Sequence, residues 1–151
     1  GVLFVLGFFL MAYKGFDRVD SITANLGCVF ALGVALCPTT SSNQVVHILH
    51  FVFAMLLFST FIFFSIYLFR KSDPQKKCSP QKNKRNVIYL VCGIIMIVAI
   101  ASIVVSIFWL EEASQQYHLV FWFESLALIS FGFSWITKAE FLFLKDEESE
   151  K

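Results

Sequence analysis

Charge is what this chain has least of. Asp, Glu, Lys and Arg make up 15% of its 151 residues, where a soluble domain carries about 25%. The longest polar stretch is residues 70–86, which leaves no room for a soluble domain. The four cysteines, Cys28, Cys37, Cys78 and Cys92, have neither the spacing of a disulfide framework nor that of a Cys-rich metal site. Cys78 lies in a basic loop that could be acylated. No internal repeat or low-complexity segment stands out.

What fills the space is apolar. Hydrophobic residues reach 58% and aromatic ones 17%, and the mean hydropathy is +0.73. Five hydrophobic segments run over residues 1–13, 21–38, 45–69, 87–110 and 118–137. Most have the length that marks transmembrane helices. The expected fold is an all-α integral membrane protein, a single domain formed by a bundle of five transmembrane helices. The first segment is short. Its 13 residues give about 20 Å of helix against about 30 Å of hydrocarbon. It lacks the basic flank and small-residue cleavage site of a signal peptide. The expectation is therefore that the natural polypeptide extends upstream of Gly1, completing a helix or making six.

The cations alternate. Lys14 and Arg18 follow the first segment, and "TTSSNQ" after the second has none. Arg70, Lys71, Lys76, Lys77, Lys82, Lys84 and Arg85 follow the third, and "EEASQQYH" after the fourth has none. Lys138, Lys145 and Lys151 follow the fifth. The positive-inside rule assigns the basic connections to the cytoplasm, so the C-terminus is expected inside a bacterial cytoplasmic membrane. Trp109, Tyr117 and Trp122 then mark the outer interface and Tyr67 and Trp135 the inner one.

Small residues trace lines along the helices. In the second segment Ala24, Cys28, Ala31 and Ala35 recur at helical steps, and Gly27 with Ala31 forms a small-xxx-small pair. In lipid such lines let helices approach closely. Asp20 is the expected N-cap of that helix and Pro38 its end. The fourth helix shows Cys92, Ile95, Ala99, Ser102 and Ser106, and the fifth Glu124, Ala127, Phe131, Ser134 and Lys138. The third segment is crowded with Phe. Its polar exceptions are His47, His50, Ser59, Thr60, Ser65 and Tyr67.

Glu124 poses the sharpest question, because an ionisable residue in a membrane segment marks a functional site by default. The expected topology puts all three histidines, His47, His50 and His118, on its side of the membrane. His47 and His50, one turn apart, share a helix face. Three readings stay open. The residues could form a hydrogen-bonded polar pocket that fastens the third helix to the fifth. They could bind a proton or ligand. Or His47, His50 and Glu124 could hold zinc or iron, with metal-bound water hydrolysing a lipid bond. The HExxH spacing of the zincins is absent, and the sequence implies no cofactor. Glu124 is the candidate catalytic residue if there is one.

The run "RKSDPQKKCSPQKNKR" needs no role beyond fixing topology. Its seven cations, Arg70, Lys71, Lys76, Lys77, Lys82, Lys84 and Arg85, also suit anionic headgroups, at about 1 kcal/mol each near the surface. It lacks the aromatic interleaving of a nucleic-acid reader, so nucleic acid is not an expected partner.

"ANLGCVFALGVAL", "HILHFVFAMLLF" and "FESLALISFGFSW" followed by "KAEF" resemble the DRAM/Frag/Sfk-type multi-pass membrane proteins and related bacterial proteins. The resemblance implies five or six helices and carries over to Asn25, Gly27, His50, Ala54 and Glu124. The family's Glu-Trp pair stands here as Glu124-Ser125, a departure. Its eukaryotic members are linked to autophagy, lipid-anchor remodelling and membrane-lipid organisation. The leading expectation is thus a structural, lipid-organising or accessory-subunit role, with membrane lipids, other subunits or further copies as partners. A metal-dependent lipid hydrolase and a small channel or transporter subunit are the alternatives.

Overall fold

A computed structural model describes residues 1–15, 17–39, 42–71 and 80–139. Among these residues the chain is helical throughout, without strands. The helices are α1 (Val2–Ala12), α2 (Arg18–Leu36), α3 (Gln44–Phe63), α4 (Pro80–Phe108), α5 (Glu111–Tyr117) and α6 (Leu119–Lys138). A π-helical segment, Phe64–Leu68, continues α3. Four helical stretches are long and apolar enough to cross a membrane: Arg18–Leu36, Gln44–Leu68, Pro80–Phe108 and Leu119–Lys138. That is the make-up of an integral multi-pass membrane protein. Among the described residues α1 is a shorter apolar helix of 11 residues, about 17 Å long.

The chain divides into two compact units, Gly1–Phe61 and Ile62–Lys151. In the first, α1 packs along α2. The buried line of α2 is Asp20, Ala24, Gly27, Cys28 and Ala31; of the expected small-residue line Ala24, Cys28 and Ala31 are buried and Ala35 is half-buried. Close approach is the physical reason. A Cβ on Gly27 would sit 3.1 Å from Leu10 and 3.2 Å from Thr60. A Cβ on Gly33 would lie 2.5 Å from the Phe53 ring, so only glycine lets α3 come that near.

The start of α2 corrects the expected cap. Asp17 is the N-cap, its Oδ1 accepting from the backbone N–H groups of Val19 (3.0 Å) and Asp20 (3.2 Å). Asp20 instead lies inside the first turn, 1% exposed. Asn43 caps α3 in the same way, accepting from Val45 N–H at 2.9 Å.

In the second unit α4 and α6 pack along each other. Arg85, Tyr89, Cys92, Met96, Ala99, Ile103 and Ser106 are buried along α4. They recur in steps of four and three, the period of left-handed helix packing. The expected line through Ile95 and Ser102 is shifted onto Met96 and Ile103. On α6 the buried residues are Ala127, Ser130, Phe131, Ser134 and Thr137. A Cβ on Gly93 would lie 2.4 Å from Ile66, so that glycine admits the π-helical segment. Two bounds also differ. α4 begins at Pro80, a favoured first helical residue, and takes Lys82, Lys84 and Arg85 into its opening turns. The connection "EEASQQYH" is not a plain loop but carries α5.

Candidate functional site

Lipid offers backbone and side-chain polar groups no water to bond, so each hydroxyl in these helices raises the question of its partner. Four are answered locally. Ser59 donates to Met55 O, Thr60 to Leu56 O, Ser106 to Ser102 O and Thr137 to Phe133 O, all at 2.7–2.8 Å and one turn back. Such back-bonding satisfies the hydroxyl within its own helix. Ser65, in the π-helical segment, instead bonds the hydroxyl of Ser134 on α6, and both are fully buried.

The basic end of the second unit is the most elaborate place described. Phe69 N–H donates to Phe64 O at 2.9 Å, five residues back, which closes the π-helical turn. Phe64 and Phe69 are fully buried. Trp135 packs against both, at 5.8 Å and 5.4 Å between ring centroids. Tyr89 and Phe131 complete the cluster, 5.5 Å from Phe69 and 6.3 Å from Phe64. Cations are arranged around it. The Lys82 ammonium donates to Phe69 O (3.1 Å) and Lys71 O (3.0 Å), satisfying carbonyls that the helix end leaves over. Lys138 Nζ stands 5.9 Å from the centre of the Phe69 ring and Lys71 Nζ 5.3 Å from that of Tyr67. Both are within cation–π reach. Arg85 is buried, at 4% exposure, while Arg70 and Lys84 are exposed. Lys76 and Lys77 lie outside the described residues, as do Cys78, Lys145 and Lys151.

The residues of the expected polar pocket are described unit by unit. His47 and His50 belong to the first unit, and His118 and Glu124 to the second. His50 is half-buried, and its Nδ1–H donates to Cys37 O at 2.7 Å, closing the C-terminal end of α2. His47 is exposed and stands edge-on to Phe51, 4.9 Å away. His50 also stands edge-on to Phe51, at 5.8 Å, so the two imidazoles share that ring, and His50 bonds Cys37 O besides. His118 is exposed at the junction of α5 and α6, in the left-handed region at φ 52°. It terminates one helix and begins the next. Glu124 is half-buried on α6, at the margin of the face that buries Ala127 and Phe131. Among the described residues no three His, Cys, Asp or Glu side chains gather into a group that could hold a metal ion.

No family model, curated protein or solved structure matches this chain. What it does must be read from its own chemistry. Two features had no sequence signal. The Ser65–Ser134 pair joins residues far apart in the chain, and the double carbonyl contact of Lys82 depends on where the π-helical turn ends. The Asp17 cap did have one, since Asp17 directly precedes Arg18, the first residue of the helix.

Proposed function

We propose that this chain is an integral membrane protein of structural, lipid-organising type. Its basic connection and C-terminus face the cytoplasm, and its cations there act on anionic headgroups. Its partners are membrane lipids first, and further copies or other membrane subunits second. The resemblance to the DRAM/Frag/Sfk-type proteins points the same way.

The observation that carries this reading is the division of labour among the cations at one end. Lys82 holds two backbone carbonyls, whereas Arg70 and Lys84 stand exposed beside the apolar helices. On this reading Lys82 builds the end of the fold, and the exposed Arg70 and Lys84 offer positive charge to headgroups. The spans support it too, since Ser59, Thr60, Ser106 and Thr137 hydroxyls serve their own helices.

The test is lipid composition. Protein extracted gently from mixed phosphatidylcholine and phosphatidylglycerol bilayers should carry phosphatidylglycerol above its bulk share. The excess should shrink with salt, because exposed charges are screened. Bound lipid matching the bulk at low salt would count against the reading.

A further inference from the structure

Within that lipid-organising reading further copies of the chain are partners, and one exposed side chain has the chemistry to receive one. Asn25 is exposed on α2, a helix long and apolar enough to span the membrane. It is the eighth of the 19 residues of that helix, about 10 Å along the axis from Arg18. Lys and Arg snorkel to the interface on long stems, and the Asn side chain is too short to follow them. Asn83, an exposed Asn of another span, has no such need, because it lies in the opening turn of α4 between Lys82 and Lys84. A polar group facing hydrocarbon finds no water and costs free energy until something bonds it. Among the described residues no hydrogen bond ends at the Asn25 carboxamide.

The side chains around Asn25 form a seam. Ile22, Asn25, Val29 and Leu36 are exposed and Leu32 is half-buried. They follow one another in steps of three and four, the spacing of left-handed helix packing. Ile22 is 57% and Val29 56% exposed. Both are β-branched and stiff at χ1, so they lose little freedom on packing. The small-residue face of α2 is already in use, since a Cβ on Gly7 of α1 would meet Cys28 O at 3.5 Å and Ala31 Cβ at 3.6 Å.

We infer that the Ile22–Asn25–Val29 face of α2 pairs with the same face of a second copy of this chain, the two Asn25 carboxamides bonding each other. Polar complementarity selects the occupant. A carboxamide carries both an N–H donor and an acceptor oxygen, so it is its own partner across a two-fold axis. Depth adds to this. Copies inserted with one topology lie parallel, and a two-fold along the membrane normal sets Asn25 against Asn25 of the second copy. Lipid tails offer neither donor nor acceptor, and a different subunit needs a polar group at that same depth. A single Asn in an apolar seam also fixes the register of the two helices.

Copies of the full chain, tagged at the C-terminus with donor or acceptor fluorophores and reconstituted alone in phosphatidylcholine bilayers, report pairing as energy transfer. The parent should pair, with transfer that falls as lipid is added. Asn25→Leu should weaken pairing about tenfold, the scale of a polar bond between helices in a membrane. Asn25→Gln, which keeps the carboxamide, should recover most of it. Ile129→Ala, at a 70% exposed position of α6, should stay within about twofold, as a site apart from the seam does. Position 25 is exposed, so unchanged helicity and melting in detergent are expected of both Asn25 variants. A chain that stays monomeric would overturn the inference and leave the face to lipid or to a different subunit. So would equal pairing by Asn25→Leu and the parent, or equal losses in Ile129→Ala and Asn25→Leu. None of these outcomes touches the preference for phosphatidylglycerol, whose absence would sink the lipid-organising reading by itself.

Discussion

At the scale of single residues, polar side chains in this chain mostly complete the backbone. His50 shows it. Its imidazole closes the end of α2 by donating to Cys37 O, where a helix leaves carbonyls without partners. His50→Ala should therefore destabilise the protein by about 1–2 kcal/mol, the cost of leaving a half-buried acceptor unmet. Thermal melting in detergent checks it, and a variant as stable as the parent would remove the capping role. His118 tests the opposite sign. Its φ of 52° suits glycine, and a left-handed non-glycine residue stores on the order of 1 kcal/mol or more. His118→Gly should melt no lower than the parent and somewhat higher. A clear loss would mean that the imidazole holds something the backbone does not explain. Glu124 lies between these cases. At the margin of the buried face of α6, its replacement by Leu should cost about 1–3 kcal/mol, and Glu124→Gln much less.

At the scale of helices, what decides packing is where a side chain is missing. Gly33 leaves room for the Phe53 ring, which a Cβ would meet at 2.5 Å, whereas a Cβ on Gly132 would meet nothing within 4 Å. Gly33→Ala should therefore lose about 1–3 kcal/mol by overpacking. Gly132→Ala should gain up to about 1 kcal/mol from helix propensity. Chemical denaturation of the two variants side by side reads both signs, and equal responses would refute the packing difference. Much of this level was legible in the sequence. The apolar runs placed every span to within a few residues, except that α4 begins earlier, at Pro80. The line Ala24, Cys28 and Ala31 anticipated the buried face of α2. Other features were hidden for stated reasons. The π-helical turn at Phe64–Leu68 inserts a register shift that no periodicity in a Phe-rich run reveals. The α4 face ran through Met96 and Ile103 because large apolar residues, not only small ones, fill a helix seam. His47 meets Phe51 one turn on along its own helix, as spacing allows, but the bond from His50 to Cys37 O reaches back 13 residues, which spacing alone does not locate.

For the molecule as a whole, the distribution of charge is the strongest remaining constraint. The exposed cations Arg70 and Lys84 flank one connection, and Glu111, Glu112, Gln115 and Gln116 form the exposed surface of another. A Lys or Arg held back by an anionic leaflet and by the membrane potential orients the spans beside it. If α4 crosses the bilayer, its 29 residues, about 43 Å at helical rise, set its two ends on opposite sides. Lys84 belongs to the first turns and Gln116 to the connection beyond the last. The expected arrangement is Lys84 in the cytoplasm and Gln116 outside. Single cysteines at these positions, with the four native cysteines replaced by alanine, make the comparison clean. An impermeant maleimide added to intact cells should label Gln116→Cys and spare Lys84→Cys until the membrane is opened. Labelling of both before lysis would mean that α4 does not span. The reverse pattern would turn the protein over and place its basic end against the other leaflet.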